Sequence, residues 1–182
     1  RDVKARRWEE IGSHHMDGEG WEPIAFDGDN RTLFVWSDIG RKTKAIYRYD
    51  AEARRMGDLV FGDDTYDAVD ANGAAAQTFT PSTIYDPLKK KIVGLSYAAD
   101  RTRFHWLDED MKALYRKLET SLPDTVHRPR QFASGGSRII FFSSSDRDPG
   151  VYSLYDRERQ KLSELAVIKP GIDPEKMGRT KA

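Results

Sequence analysis

Three paired stretches decide the fold. The first is Leu33-Phe-Val-Trp-Ser37 followed by Ala45-Ile-Tyr-Arg-Tyr-Asp50. The second is Ile92-Val-Gly-Leu-Ser96 followed by Arg103-Phe-His-Trp-Leu-Asp108, and the third Ile139-Ile-Phe-Phe-Ser143 followed by Val151-Tyr-Ser-Leu-Tyr-Asp156. Leu33 to Asp50, Ile92 to Asp108 and Ile139 to Asp156 are steps of 17, 16 and 17 positions, with a serine near the end of each first run. Runs this short, β-branched and aromatic, bounded by turn residues, read as strands. Their recurrence reads as one unit used three times.

Working outward, each pair is preceded by another apolar piece: Ile24-Ala-Phe26, Thr83-Ile-Tyr85 and Gln131-Phe-Ala133. The joining segments, Asp27-Gly-Asp-Asn30, Asp86-Pro-Leu-Lys89 and Ser134-Gly-Gly-Ser137, hold the residues that tight hairpins demand. Units one and three continue into a fourth strand, Met56 to Phe61 and Leu162 to Ile168. Unit two departs from this. Met111, Leu114, Tyr115 and Leu118 fall at i, i+3, i+4 and i+7, Asp108 suits an N-cap, and Pro123 stops the run. An amphipathic helix over 109–120 is predicted beside or in place of the outer strand, its stripe a packing face.

Composition narrows the options. The chain has 182 residues, room for one ordinary domain with a real core. Thirty Lys and Arg balance thirty Asp and Glu, against a nucleic-acid binder, and 38% hydrophobic residues argue against global disorder. Cysteine is absent, which removes disulfides, thiolate chemistry and Cys-ligated zinc but leaves the compartment open. No run approaches a membrane span, so a soluble chain with no membrane partner is expected. The sequence starts at Arg1 rather than methionine, leaving room for a natural start and a targeting segment upstream.

Four antiparallel strands per 40–50 residues is the signature of a β-propeller blade. The expected fold is all-β: a partial β-propeller of about three four-stranded antiparallel blades, at about 21–66, 80–123 and 128–170. Residues 1–20 form a lead-in or outer strand, and 171–182 an exit linker. A closed propeller needs about four to eight blades, so the chain reads as part of a larger protein. Its open blade edges would favour self-association. A complete small β-sandwich or barrel is the competing architecture.

The strings Trp21-Glu-Pro-Ile-Ala-Phe-Asp-Gly-Asp-Asn-Arg-Thr-Leu33, Ala98-Ala-Asp-Arg-Thr-Arg-Phe-His-Trp-Leu-Asp-Glu-Asp110 and Ser145-Asp-Arg-Asp-Pro-Gly-Val-Tyr-Ser-Leu-Tyr-Asp156 resemble the propeller domain of prolyl-oligopeptidase-family serine peptidases. The nearest flavour is the bacterial acylaminoacyl-peptidase or dipeptidyl-aminopeptidase-like group. The likeness runs from about Trp21 to Met177, and Asp173-Pro-Glu-Lys-Met177 looks like the passage into the α/β-hydrolase domain. The resemblance implies a non-catalytic, substrate-gating propeller portion. Its partners would be peptide substrates and a hydrolase domain of the same protein that lies outside this chain. No catalytic residue carries over, because no G-x-S-x-G elbow is present and Gly135-Gly-Ser-Arg-Ile139 lacks the final glycine. The alternative is a stand-alone propeller-like or TolB-like protein-binding scaffold. A small independent enzyme is disfavoured, since no nucleophile, base and orienting group cluster in the sequence.

The charged loops between the paired strands are the candidate substrate or domain interface: Arg41 in unit one, Asp100, Arg101 and Arg103 in unit two, Asp146, Arg147 and Asp148 in unit three. If the units are blades, these loops emerge on one face, where arginine's fork could hold a peptide carboxylate or pair with acids of a catalytic domain. Salt bridging within and between blades is the plainer use. No cofactor and no metal are expected. His14, His15, His105 and His127 form no ligand motif. Asp27-Gly-Asp29 and Asp146-Arg-Asp148 read as turns rather than calcium loops. Trp8-Glu-Glu-Ile11 only weakly resembles the glutamate pair that anchors a substrate amino terminus in one dipeptidyl-peptidase branch.

Overall fold

A computed structural model describes residue 8 and residues 10–12, 19–68 and 82–180. His14, His15 and Glu9 lie outside the described residues. The chain is all-β apart from one α-helix among the described residues, and it forms three successive antiparallel sheets. The first is β1 (Trp21–Phe26), β2 (Thr32–Ser37), β3 (Ala45–Asp50) and β4 (Arg55–Phe61), in sequential order. The second is β5 (Ser82–Asp86), β6 (Lys91–Ala98) and β7 (Thr102–Trp106), followed by α1 (Glu109–Ser121). The third is β8 (Val126–Phe132), β9 (Arg138–Ser144), β10 (Val151–Asp156) and β11 (Lys161–Val167). This is the make-up of a partial propeller, with the helix standing in place of the middle sheet's outer strand.

Sheets one and three share several irregularities at corresponding positions. Pro23 and Pro129 pair with Val35 and Phe141, and each is followed by a one-residue bulge. Proline lacks the N–H that a ladder needs, so it is tolerated on an edge strand beside a bulge. Asn30 and Gly136 take positive φ in the first hairpin, Arg54 and Gln160 in the last. Each of these pairs is separated by 106 positions. Asp50 and Asp156 share that offset.

The recurring aspartates explain themselves in atoms. Asp50 accepts from the Ala53 N–H at 2.8 Å, Asp108 from Met111 at 3.2 Å and Asp156 from Arg159 at 3.0 Å, always three residues ahead. Each also pairs with a cation at the start of a neighbouring strand: Arg31 at 2.7 Å, Lys91 at 2.9 Å and Arg138 at 3.6 Å. The Arg31 hydrogen bond holds Asp50 down at about 2. Burial works against ionising Asp108, yet Lys89 and Lys91 bring it to about 2 as well. In sheets one and three the clasp closes a hairpin. In sheet two the same bond caps α1, with Glu109 and Asp110 favourably placed in its first turn.

By contacts the chain divides into two compact units: residues 1–83 with 96–99, and residues 84–95 with 100–182. In unit one, Leu33, Val35 and Tyr49 form a core on one sheet face, with Trp21 stacked on Tyr49 at 4.8 Å. The other face buries Phe34 and Trp36, beneath Arg48 and Lys44 respectively. In unit two, Ile84 and Val93 of the middle sheet, Met111 and Leu118 of α1, and Ile139 and Phe141 of the third sheet make one core. The predicted helical stripe is therefore a packing face. Two turns close this core at one end, where Gly136, at φ 72°, comes so near that a Cβ would sit 2.7 Å from the Leu88 nitrogen. Beside it Asp86, fully buried, meets Arg157 at 2.5 Å and accepts from the Leu88 N–H at 2.9 Å.

Candidate functional site

The candidate charges sit in the hairpins that join the second and third strands of each sheet, except Arg103, which lies in β7 one residue past its start. In unit one, Arg41 lies 3.7 Å from Asp64 and its own N–H bonds the Asp38 carbonyl. In unit two, Arg103 holds Asp100 at 2.8 Å; slight desolvation opposes ionisation, but that guanidinium keeps the exposed Asp100 carboxyl below the ordinary carboxylate value. Asp148 accepts from Gly150 at 2.9 Å, and Ser145 Oγ accepts from the N–H groups of Arg147 and Asp148, so this loop is knotted on itself. Arg147 donates to the Pro174 carbonyl at 2.8 Å, and Asp146 accepts from the Thr180 N–H at 2.6 Å. The chain after β11 is thereby tied to the β9–β10 loop. Of the seven candidates, Arg101 alone has an exposed side chain that makes no hydrogen bond or ion pair among the described residues, while its backbone N–H bonds the Asp100 carboxylate.

Two of the three loops meet at one end of unit two. Arg128, near the start of β8, donates to Ser144 Oγ at 3.2 Å and to Thr102 Oγ1 at 3.1 Å. Ser144 closes β9 just before one loop, and Thr102 opens β7 just after the other. Arg128 was not among the sequence candidates. Its only signal there was an Arg-Pro step before a bulge, which says nothing about reach. The Arg41 loop belongs to the other unit.

The remaining polar candidates resolve into structure. Asp29 accepts from the Arg31 and Thr32 N–H groups, a turn-closing role. His127 is fully buried, its Nδ1 2.8 Å from Ser143 Oγ, and burial lowers its pKa. Ser37, at the position equivalent to Ser143, is also buried and donates to the Gly20 carbonyl at 2.7 Å. At Ser37 and Ser143 the recurring serine is therefore buried and bound to the chain in or just before the first strand of its sheet. His105 is lowered by burial and by nearby Lys112. Among the described residues no three His, Asp or Glu side chains converge as a metal site.

In comparisons with known proteins, no family model, no curated protein and no solved structure matches this chain.

Proposed function

We propose that this chain is a non-catalytic propeller portion of a serine peptidase of the prolyl-oligopeptidase family, gating short peptides on their way to an α/β-hydrolase domain. The support is the resemblance of the strings at 21–33, 98–110 and 145–156, on a chain built as successive propeller-like sheets. The observation that carries the gating role is the Arg128 clip, which gathers two charged loops at one end of unit two. Most of those charges are spent on holding the loops in shape, so the rim acts chiefly as a rigid collar. Arg101 is the group left to meet a peptide carbonyl, a carboxylate or an acid of the catalytic domain.

The coding sequence beyond Ala182 tests this directly. The proposal expects an in-frame hydrolase with a G-x-S-x-G elbow. A stop codon there would overturn it in favour of a stand-alone scaffold. In the intact peptidase, Arg101→Ala is expected to raise KM for short peptides severalfold with little change in kcat. The same reading expects the isolated chain to self-associate through β11, an edge strand whose seven residues are all exposed. A monomer by light scattering at high concentration would contradict that.

A further inference from the structure

At the end of unit two opposite the charged loops, a groove of about 370 Å³ opens between α1 and the β10–β11 turn. It exists because a helix replaces a strand: Asp110, Leu114 and Lys117 lie at i, i+4 and i+7, so one helix face stands beside the turn while the adjacent stripe enters the core. Leu88, Met111, Leu114 and Tyr155 give the groove an apolar body, and Lys89, Lys117 and Arg157 bring three cations to it. Its volume falls within the range of small-ligand sites, and an apolar wall with a few convergent polar groups is their usual make-up.

The cations are not equally committed. Lys89 is shared between Asp108 and Asp110 at 2.6 Å each. Arg157 gives Nη2 to Asp86, while its Nη1 is buried without a hydrogen-bond partner among the described residues. That nitrogen has almost no accessible surface, so a molecule in the groove does not reach it, and Arg157 adds its charge there rather than a free donor. Lys117 is exposed and forms no ion pair among the described residues. Asp110, the groove's carboxylate, already faces Lys89. The uncommitted charge at the groove is therefore that of Lys117.

We propose that this groove binds a small apolar carboxylate, its anionic end meeting Lys117 and its apolar body lying on Leu88, Met111 and Leu114. Two sources share that chemistry: a free organic acid, or the C-terminal carboxylate of a peptide ending in a hydrophobic residue. The proposal rests on the groove alone and holds whether or not the chain belongs to a peptidase.

The test is an amide-shift NMR titration of the whole chain with hexanoate, with N-acetyl-Ala-Leu and with N-acetyl-Ala-Leu-amide. Saturable shifts centred on Leu114, Lys117 and Arg157 are expected with at least one carboxylate, and the tighter of the two identifies the source. The amide should bind about tenfold or more weaker, because it forfeits a charge-assisted hydrogen bond. Lys117→Gln, on the exposed side of the helix, should leave the unfolding midpoint unchanged and weaken the carboxylate by a similar factor. The proposal is overturned if neither acid saturates, if the shifts lie elsewhere, if the amide binds equally well, or if Lys117→Gln leaves affinity unaltered.

Discussion

The second and third sheets carry the same aspartate clasp and continue from it differently. Asp108 and Asp156 each accept a backbone N–H three residues ahead and each face a cation from a neighbouring strand. After Asp156, the chain reaches Gln160 at φ 49° and folds back as β11, every residue of which is exposed. After Asp108, no residue through Ser121 turns left-handed; helix formers follow, and Met111, Tyr115 and Leu118 are buried. The clasp thus fixes where a strand ends, while the following residues decide between hairpin and helix. The burial patterns carry the difference further. Strand β6 is buried on both faces over most of its length, whereas β9 alternates buried with half-buried residues.

The sharpest way to break this comparison lies where the two sheets meet. Asp86→Ala strands Arg157 in a buried setting and removes turn hydrogen bonds, so a loss of about 3–5 kcal/mol is expected in urea denaturation. Arg138→Ala, which removes the looser pair with Asp156, should hardly move the midpoint. Next in size, Met111→Ala opens the shared core and should cost about 2–5 kcal/mol, against about 0.5 or less for Leu165→Ala on the exposed strand. Asp108→Ala removes a helix cap and should cost about 1–2 kcal/mol by the same measurement. Asp156→Ala should cost less, because the hairpin keeps its ladder bonds to β11.

The gentlest probe is pH. Burial holds the pKa of His127 and of His105 below 6.5, so the unfolded chain takes up their protons more readily than the folded one. Their contribution is fully present above pH 6.5 and is lost as pH falls below it. The thermal midpoint should decline from about pH 7 to about pH 5, and His127→Gln should flatten part of that slope. Asp50 and Asp108, held at about 2, add a separate loss only as pH drops below 3.8.

Sequence periodicity located most of the elements because their signals are local. The recurring aspartates, the alternating strand residues and the 109–120 stripe each act within a few positions, and the helix ends only one residue later than expected, at Ser121. The 106-position copy of bulges and left-handed turns escaped, since its marks are one proline and two residues of unlike type per sheet, such as Asn30 and Gly136. The Asp86–Arg157 pair and the Arg128 clip were also out of reach. Partners 71 and 26 positions apart leave no periodic trace. The loop charges were found as residues, but their use was not legible: Arg147 spends its guanidinium on a backbone carbonyl 27 positions away.

The central claim is that one clasped module recurs three times along the chain. Carboxyl-detected NMR titration of the aspartate side chains tests it most directly. The account predicts that Asp50, Asp108 and Asp156 all titrate below 3.8, with Asp50 and Asp108 near 2. Three ordinary carboxyls, all titrating at about 3.8, would contradict it.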